Sequence, residues 1–146
     1  MPQKGVTSRR RRPLLTVRDA ASFCNCSERR VRHWYQAGKI KKSSRRTTAI
    51  YFDFNQILWV KVLLRLEEAG FSRKNIDGTI ERLKLFVQTI EIPVNQCSFL
   101  INEEAVFISN GGCIVDKKSR ENYIFINVKK LHLEFAKFLE GRRNDF

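Results

Sequence analysis

Two short helical patterns follow one another between Thr16 and Gly38, with only a short turn between them. The first begins at a Thr16-x-x-Asp19 capping box and continues to residue 24 with small or apolar residues at i, i+3, i+4 and i+7. The second begins with Ser27 as its N-cap and ends at Gly38, in the position where helices commonly close. Two helices joined so closely predict a helix-turn-helix.

The second helix of this pair has two faces of opposite character. Val31, Trp34 and Tyr35 are expected to face inward. The other positions are polar and mostly basic: Arg29, Arg30, Arg32, His33 and Gln36. A helix with an apolar face and a cationic face is suited to meet an anion.

After Gly38 the pattern changes to that of strands. Residues 40–42 and 49–52 predict a small β-hairpin with a basic tip at residues 43–48. A second capping box, Asp53-x-x-Gln56, then begins a long helix to about residue 69. That helix is apolar nearly all round, and we therefore expect it to be buried.

Ser72 is the expected cap of a further helix, from about residue 73 to residue 90. Its apolar residues recur at steps of four, three, four and three, which is the spacing of a coiled-coil seam. The candidate dimer seam consists of Ile76, Ile80, Leu83, Val87 and Ile90. Because the repeat covers only about two heptads, a face packed on the chain's own domain is an equally good interpretation.

Pro93 ends the helical patterns, and short apolar segments follow at residues 98–101, 105–109, 113–115 and 123–126. They predict a small antiparallel β-meander, after which Asn127 caps a last helix that closes at Gly141. The predicted fold class is α+β. We expect a flexible basic arm (1–13), a winged helix-turn-helix domain (14–91) and a small oligomerisation or partner-interaction module (94–146).

The net charge of +13 is distributed very unevenly. Residues 1–50 carry 14 basic and 2 acidic side chains, whereas residues 91–146 carry 8 of each. A polyanionic partner accounts for this asymmetry, since each Lys or Arg that neutralises a phosphate releases a counterion. An anionic membrane is the competing partner, but the basic region lacks a broad apolar face that could enter lipid. No apolar run is long enough to cross a bilayer, and no secretory signal is evident, so we expect a cytoplasmic protein.

The sequence offers little for catalysis or metal binding. Cys24, Cys26, Cys97 and Cys113 lack zinc-site spacing, and we expect free thiols. No Gly-rich phosphate loop, no cluster of His, Asp and Glu with ligand spacing, and no nucleophile with an evident base is recognisable. We therefore predict no enzymatic activity, no metal and no cofactor.

The order of elements and several residues together resemble the MerR family of bacterial winged-helix transcription regulators, with excisionase-type DNA-binding domains as near relatives. The resemblance covers about residues 15–86. The segments that carry it are 27–35, 38–40, 52–53 and 68–72. The wing departs from the family, because the usual Arg is absent from residues 48–52. The strand-rich segment after Pro93 also replaces the family's long dimerising helix, so ligand and metal sensing are not implied.

The resemblance places the second helix in the major groove of DNA, where an Arg can pair with a guanine edge. Arg29 and Arg30 are the candidates for base edges, and Arg32 is the candidate for phosphate. The other candidate DNA contacts are Arg18, Ser27, His33, Lys41, Lys42, Arg45 and Arg46. The arm residues Arg9, Arg10, Arg11 and Arg12 suit a narrow minor groove or non-specific affinity.

The function that these features imply is a sequence-specific, double-stranded DNA-binding transcription regulator that acts as a homodimer at the nucleoid. RNA polymerase or another regulator is a further candidate partner, through the C-terminal module. Two alternatives stay open: an excisionase-like factor that bends DNA, and a DNA-tethered protein-interaction adaptor. RNA is less favoured, because the major groove of an RNA helix is too narrow for a recognition helix.

Overall fold

A computed structural model describes residues 15–40, 50–89, 93–103, 105–110 and 123–144. The chain divides into two compact units, Met1–Ile57 and Leu58–Phe146. The predicted arm, the predicted wing tip and the predicted strand at residues 113–115 lie outside the described residues. The predicted division into an arm and two domains around residues 91–94 stays a prediction.

The first unit contains a helix pair and a two-stranded sheet. Its elements are β1 (Leu15–Thr16), α1 (Val17–Cys24), α2 (Glu28–Gln36), β2 (Tyr51–Phe52) and the first residues of α3 (Phe54–Glu68). Strand β1 pairs antiparallel with β2, with Leu15 opposite Phe52. The sequence did not predict β1, because two residues are too few for a strand pattern and Thr16 is also the N-cap of the following helix.

Side-chain caps set the ends of the helix pair. Thr16 accepts a hydrogen bond at its side-chain oxygen from the Asp19 N–H (3.2 Å), and Asp19 accepts one from the Thr16 N–H (3.3 Å). The predicted capping box is therefore confirmed. Asn25 ends α1 in the left-handed conformation (φ 58°), which Asn tolerates better than most residues. Ser27 Oγ accepts from the Arg30 N–H (3.2 Å), which confirms the predicted cap of α2.

The core of the first unit is formed by apolar side chains from every one of its elements. The fully or almost fully buried ones include Leu15, Ala20, Val31, Ile40 and Phe52. Tyr35 is half-buried, and its ring meets that of Phe52 edge to face with 5.7 Å between centroids. The predicted inward face of α2 is thus confirmed.

Among the described residues, the second unit contains the rest of α3, three further helical segments and a three-stranded sheet. In chain order these are α4 (Arg73–Thr89), a 3-10 turn (Val94–Gln96), β3 (Cys97–Ile101), β4 (Val106–Asn110), β5 (Ile124–Asn127) and α5 (Val128–Asn144). The predicted caps are present at the starts of α3, α4 and α5. Asp53, Ser72 and Asn127 accept from the backbone N–H three residues later, at 3.1, 3.2 and 3.0 Å.

Helix α5 runs past its predicted end. The prediction that Gly141 closes this helix is wrong, because α5 continues to Asn144. A glycine inside a helix costs only about 1 kcal/mol relative to alanine. Gly141 therefore does not have to end the helix.

Strand β3 lies at the centre of the three-stranded sheet, with β4 and β5 antiparallel on its two sides. The predicted meander is not confirmed: of the described strands, β5 pairs with β3 and not with β4, and the predicted strand at residues 113–115 lies outside the described residues. All five residues of β3 are buried. A strand that is apolar on both faces takes the centre of a sheet, where both of its edges are also paired.

Helices α3 and α4 contribute apolar side chains to the second unit. The ring of Trp59 on α3 stacks on that of Phe99 in β3, with 6.4 Å between centroids. Helix α4 lies against β4. Among the described residues, no helix has both the length and the apolar character to cross a membrane.

The predicted seam of α4 is largely buried within the single chain. Ile76, Ile80 and Leu83 are buried, Val87 is half-buried, and Ile90 lies outside the described residues. For the three buried residues, the chain's own fold already covers the face that a partner would need. The second interpretation of the repeat, a helix face packed on the chain's own domain, therefore fits Ile76, Ile80 and Leu83.

Candidate nucleic-acid interface

Helix α2 turns one side towards the core and the other towards solvent. Val31 and Trp34 are buried, with 0% and 5% of their surface exposed. Since a helix has 3.6 residues per turn, Arg29, Arg32 and His33 lie on the opposite side at i, i+3 and i+4. All three are exposed. We refer to Arg29, Arg32, His33 and the exposed Gln36 as the α2 stripe.

Arg30 occupies a different place from the α2 stripe. Its guanidinium carbon lies 5.0 Å from the centroid of the Trp34 ring, one helical turn further on. Such a cation–π contact is worth about 0.5–1 kcal/mol at an exposed site. Arg30 is therefore at the border between the core and the exposed face, with its guanidinium held against a ring.

Trp34 was predicted as a core residue, and its burial confirms this. The sequence analysis did not predict its contact with Arg30. The signal was available, since an Arg four residues before an aromatic residue on one helix places the two side chains in contact range.

The start of α2 is held by Ser27. Its side-chain oxygen accepts from the Arg30 backbone, so this residue fixes the position of the helix end. The predicted contact of Ser27 with DNA stays a prediction. Its hydroxyl group has a proton that can be donated to a phosphate oxygen while the oxygen serves the helix.

The end of α2 is set by Gly38, which has a φ of +79°. A residue that carries a Cβ rarely adopts this left-handed backbone conformation, whereas glycine adopts it at little cost. The next backbone N–H, that of Lys39, donates to the Trp34 carbonyl at 2.9 Å, and Ile40 is fully buried. The chain after α2 is thereby anchored to the same core as the helix.

Not all the predicted DNA contacts are described. Arg18 is exposed on α1, outside the α2 stripe. The candidate contacts outside the described residues are Lys41, Lys42, Arg45, Arg46 and the arm residues Arg9, Arg10, Arg11 and Arg12. The structure therefore brings together the residues of the α2 stripe, with Arg30 beside them. The DNA contacts proposed for the remaining candidates stay predictions.

Cys24, Cys26 and Cys97 are free thiols, as predicted, and Cys113 lies outside the described residues. Burial raises the pKa of the Cys97 thiol, whose Sγ donates a hydrogen bond to the Pro93 carbonyl (3.4 Å). In the part of the chain that is described, no three residues of the types His, Cys, Asp and Glu are grouped so that they could hold a metal ion.

The comparison with protein families bears directly on this helix pair. Residues 15–83 match the MerR HTH family of regulatory proteins. This region is similar to a MerR-family helix-turn-helix domain. The match begins at β1, includes the α2 stripe and ends within α4, so that it covers just under half of the chain. A MerR helix-turn-helix domain indicates a DNA-binding regulator. No curated protein matches the sequence.

Proposed function

We propose that the protein is a transcription regulator that binds double-stranded DNA in a sequence-specific manner, with α2 in the major groove. The observation that carries the proposal is the α2 stripe. Three of its members, Arg29, Arg32 and His33, lie on the exposed side of the second helix, opposite the buried Val31 and Trp34. The second helix of a helix-turn-helix is the one that enters the groove.

The roles within this helix follow from position and chemistry. In such motifs the N-terminal residues of the second helix reach base edges, which favours Arg29 and Arg30. Each can form two hydrogen bonds to O6 and N7 of guanine, worth about 1–3 kcal/mol of discrimination. Arg32 lies one turn further along and is assigned to phosphate. His33 and Arg18 are assigned to the edge of the contact.

The stacking on Trp34 supports the role of Arg30. An Arg side chain loses rotamer freedom when it binds, and this loss opposes affinity. A guanidinium already held by a ring loses less of that freedom. Arg30 is therefore proposed to read a base from a preset position, although it lies beside the α2 stripe.

Affinity as a whole is proposed to come from phosphate contacts. Residues 1–50 carry a net charge of +12, and most protein–DNA hydrogen bonds go to phosphate and sugar. Lys41, Lys42, Arg45 and Arg46 are assigned to phosphates flanking the groove, and the arm residues Arg9 to Arg12 to the minor groove. These contacts position the protein without reading sequence.

The C-terminal segment, residues 91–146, is proposed to serve protein contacts. It carries equal numbers of basic and acidic side chains, so nothing in its charge is directed at DNA. A neutral segment attached to a DNA-binding domain favours regulation over a purely architectural role. The proposed partners are a second copy of the chain and a component of the transcription machinery such as RNA polymerase.

The deciding experiment compares the sequences that the wild type and its variants select from a random duplex library. We expect Arg29→Ala or Arg30→Ala to relax the preference at one or two base pairs, by about 1–3 kcal/mol at each position. Arg45→Ala and Arg46→Ala should weaken binding to all sequences alike. Arg73→Ala, an exposed Arg at the start of α4, is the control and should change neither.

Two results would refute this proposal. If the wild type selects no preferred sequence, recognition is not sequence-specific. If Arg29→Ala and Arg30→Ala both leave the ranking of selected sites unchanged, α2 does not read the groove.

A further inference from the structure

Trp34 belongs to the core of the first unit and also contacts a side chain at its surface. Its side chain is only 5% exposed, and its backbone carbonyl accepts a hydrogen bond from the Lys39 N–H at 2.9 Å. Arg30 is exposed, yet its guanidinium carbon lies 5.0 Å from the centroid of the Trp34 ring. A ring that the core holds in place is therefore in contact with a residue proposed to read a base.

Arg30 is held at both ends of its length. Its backbone N–H donates to Ser27 Oγ at 3.2 Å within the cap of α2, and its guanidinium lies over the Trp34 ring. A long side chain that is held in this way keeps few of its rotamers. Contact with the π face of a ring uses the charge of a guanidinium and not its five N–H donors. Arg30 can therefore keep this contact while it donates to a base.

The spacing that brings Arg30 to a large ring distinguishes it from the other arginines of α2. Arg30 is followed four positions later by Trp34, whereas Arg29 and Arg32 are followed at that spacing by a His and a Gln. Residues four apart on a helix lie on the same face and can touch. The residue types along α2 thus favour a preset conformation for Arg30 in particular.

We propose that Trp34 is a positioning residue for DNA recognition, which makes the base pair read by Arg30 the most strictly specified one on α2. This inference rests on the proposed function, since it requires α2 to lie in the major groove. Ordering an Arg on DNA costs less when a ring already holds it. The benefit appears only at the preferred base, because another base offers no pair of acceptors to fix the guanidinium. Trp34 therefore contributes to discrimination between sequences, and not to affinity for DNA in general.

The first measurement is made on the full chain without DNA. NMR relaxation of the Nε–H group of each Arg gives an order parameter for its side chain on the picosecond to nanosecond timescale. We expect a higher order parameter for Arg30 than for Arg29 and Arg32. Trp34→Leu should lower the value of Arg30 to theirs. Equal order parameters in the wild type would overturn the proposal, whatever the protein does with DNA.

The second measurement is made on DNA. The base pair at which Arg30→Ala loses its preference in the duplex selection is the one that Arg30 reads, and the pair read by Arg29 is located in the same way. Fluorescence anisotropy then gives the ratio of Kd for a duplex altered at that pair to Kd for the preferred duplex. Trp34→Leu should lower this ratio about two- to tenfold at the Arg30 pair, as expected for ordering one long side chain. It should leave unchanged the ratio at the Arg29 pair and the affinity for an unrelated duplex.

Two further variants separate the ring from the core that contains it. Trp34→Phe retains a ring with a weaker π face, and it should lose less discrimination at the Arg30 pair than Trp34→Leu. Val31→Ala is the matched control, because it removes fully buried methyl groups from the same helix and leaves the ring in place. It should leave the ratio at the Arg30 pair unchanged. Circular dichroism at the temperature of the binding measurements reports whether each variant is folded, and Trp34→Phe decides if Trp34→Leu is not.

The proposal is overturned if the Trp34 variants leave the ratio at the Arg30 pair unchanged, or lower the ratios at both pairs alike. It is also overturned if Val31→Ala lowers the ratio at the Arg30 pair as much as they do. If Arg29→Ala relaxes the selected sequence and Arg30→Ala does not, α2 still reads the groove and this inference alone fails. If neither does, the proposed function fails together with it.

Discussion

Trp34 connects the core of the first unit with its exposed surface. It is 5% exposed, yet the Arg30 guanidinium lies over its ring. The residues four positions after Arg29 and Arg32 are His33 and Gln36, and neither is a Trp, Phe or Tyr. One helix therefore presents arginines of two kinds, and the kind held by a ring has less freedom to lose on binding.

Much of the candidate DNA-binding surface on α2 could be predicted from residue types alone. The apolar positions 31 and 34 and the basic positions between them predict which side of α2 is exposed, because helical periodicity is a local property. The stacking of Arg30 could have been predicted from the same spacing. Which arginine meets a base and which meets a phosphate could not, since that depends on where the DNA backbone lies.

The cysteines differ in accessibility, and this yields a test at single residues. Cys97 is fully buried and its pKa is raised, whereas Cys26 is half-buried in the turn between α1 and α2. Because the thiolate is the reactive form, at pH 8 a smaller fraction of Cys97 is reactive than of a thiol with an ordinary pKa. We expect iodoacetamide to label Cys26 well before Cys97 in the folded protein.

Peptide mass mapping over a time course measures both labelling rates. In denaturant the two rates should become similar, because burial no longer separates the thiols. Equal rates in the folded protein would contradict the burial of Cys97. Because burial raises the pKa of Cys97, its labelling should increase only at a higher pH than that of a thiol with an ordinary pKa.

At the scale of elements, α4 shows what periodicity can and cannot establish. The apolar repeat correctly predicts a helix with one buried face, and the structure has that helix at residues 73–89. The identity of the covering surface is not encoded locally. A stripe that packs on the chain's own sheet and a stripe that packs on a second copy have the same spacing.

Two leucines of α4 provide a matched pair for testing this burial. Leu83 is fully buried, whereas Leu85 is 62% exposed on the same helix. Leu83→Ala should lower the free energy of unfolding by about 2–5 kcal/mol, because it removes buried methyl groups and leaves a cavity. Leu85→Ala should change it by no more than about 0.5 kcal/mol.

Urea unfolding followed by circular dichroism measures both values on the full chain. If the two substitutions cost the same, or if Leu83→Ala costs nothing, α4 is not packed as described. The difference between the two unfolding free energies does not require DNA to be present. It is also unaffected by a dimer contact through side chains other than Leu83 and Leu85.

Helix caps could be predicted and strand order could not, for one physical reason. Each capping interaction joins residues three apart, as between Asp53 and Gln56, so its residue types suffice. The pairing of β3 with β5 joins Phe99 to Ile126 across a long stretch of chain. The apolar pattern shows that both are strands, but pairing depends on which neighbours bury their faces best.

At the scale of the whole molecule, the concentration of charge in residues 1–50 predicts how binding responds to salt. If six to ten phosphates are contacted, the logarithm of affinity should fall against the logarithm of salt concentration with a slope of roughly −5 to −9. Fluorescence anisotropy of a labelled duplex at several salt concentrations measures this slope. Arg32→Ala should reduce its magnitude by about 1 if Arg32 contacts phosphate.

Lys137→Ala is the control for the salt series, since it removes one exposed positive charge from the second unit. It should leave the slope unchanged. A slope near zero for the wild type on every duplex would contradict DNA binding through phosphate contacts.

The last prediction concerns the number of chains on DNA. One helix-turn-helix reads only a few base pairs, and dimers gain specificity from two half-sites about 10–10.5 base pairs apart, or a multiple of that spacing. We therefore expect light scattering to give twice the chain mass of 17.2 kDa, and paired half-sites to bind more tightly than one. Ile76, Ile80 and Leu83 are already buried within the chain, so the contact must involve other side chains.

Phe86, an exposed apolar residue of α4, is the candidate for that contact, at 45% exposure. Phe86→Lys should shift the mass towards that of a single chain and remove the advantage of a paired site, because a buried charge without a partner opposes association. Leu133→Lys, at a residue of α5 that is 55% exposed, is the control and should do neither. A wild-type mass of one chain, together with equal affinity for single and paired half-sites, would show that the protein acts as a monomer and would favour an architectural role on DNA.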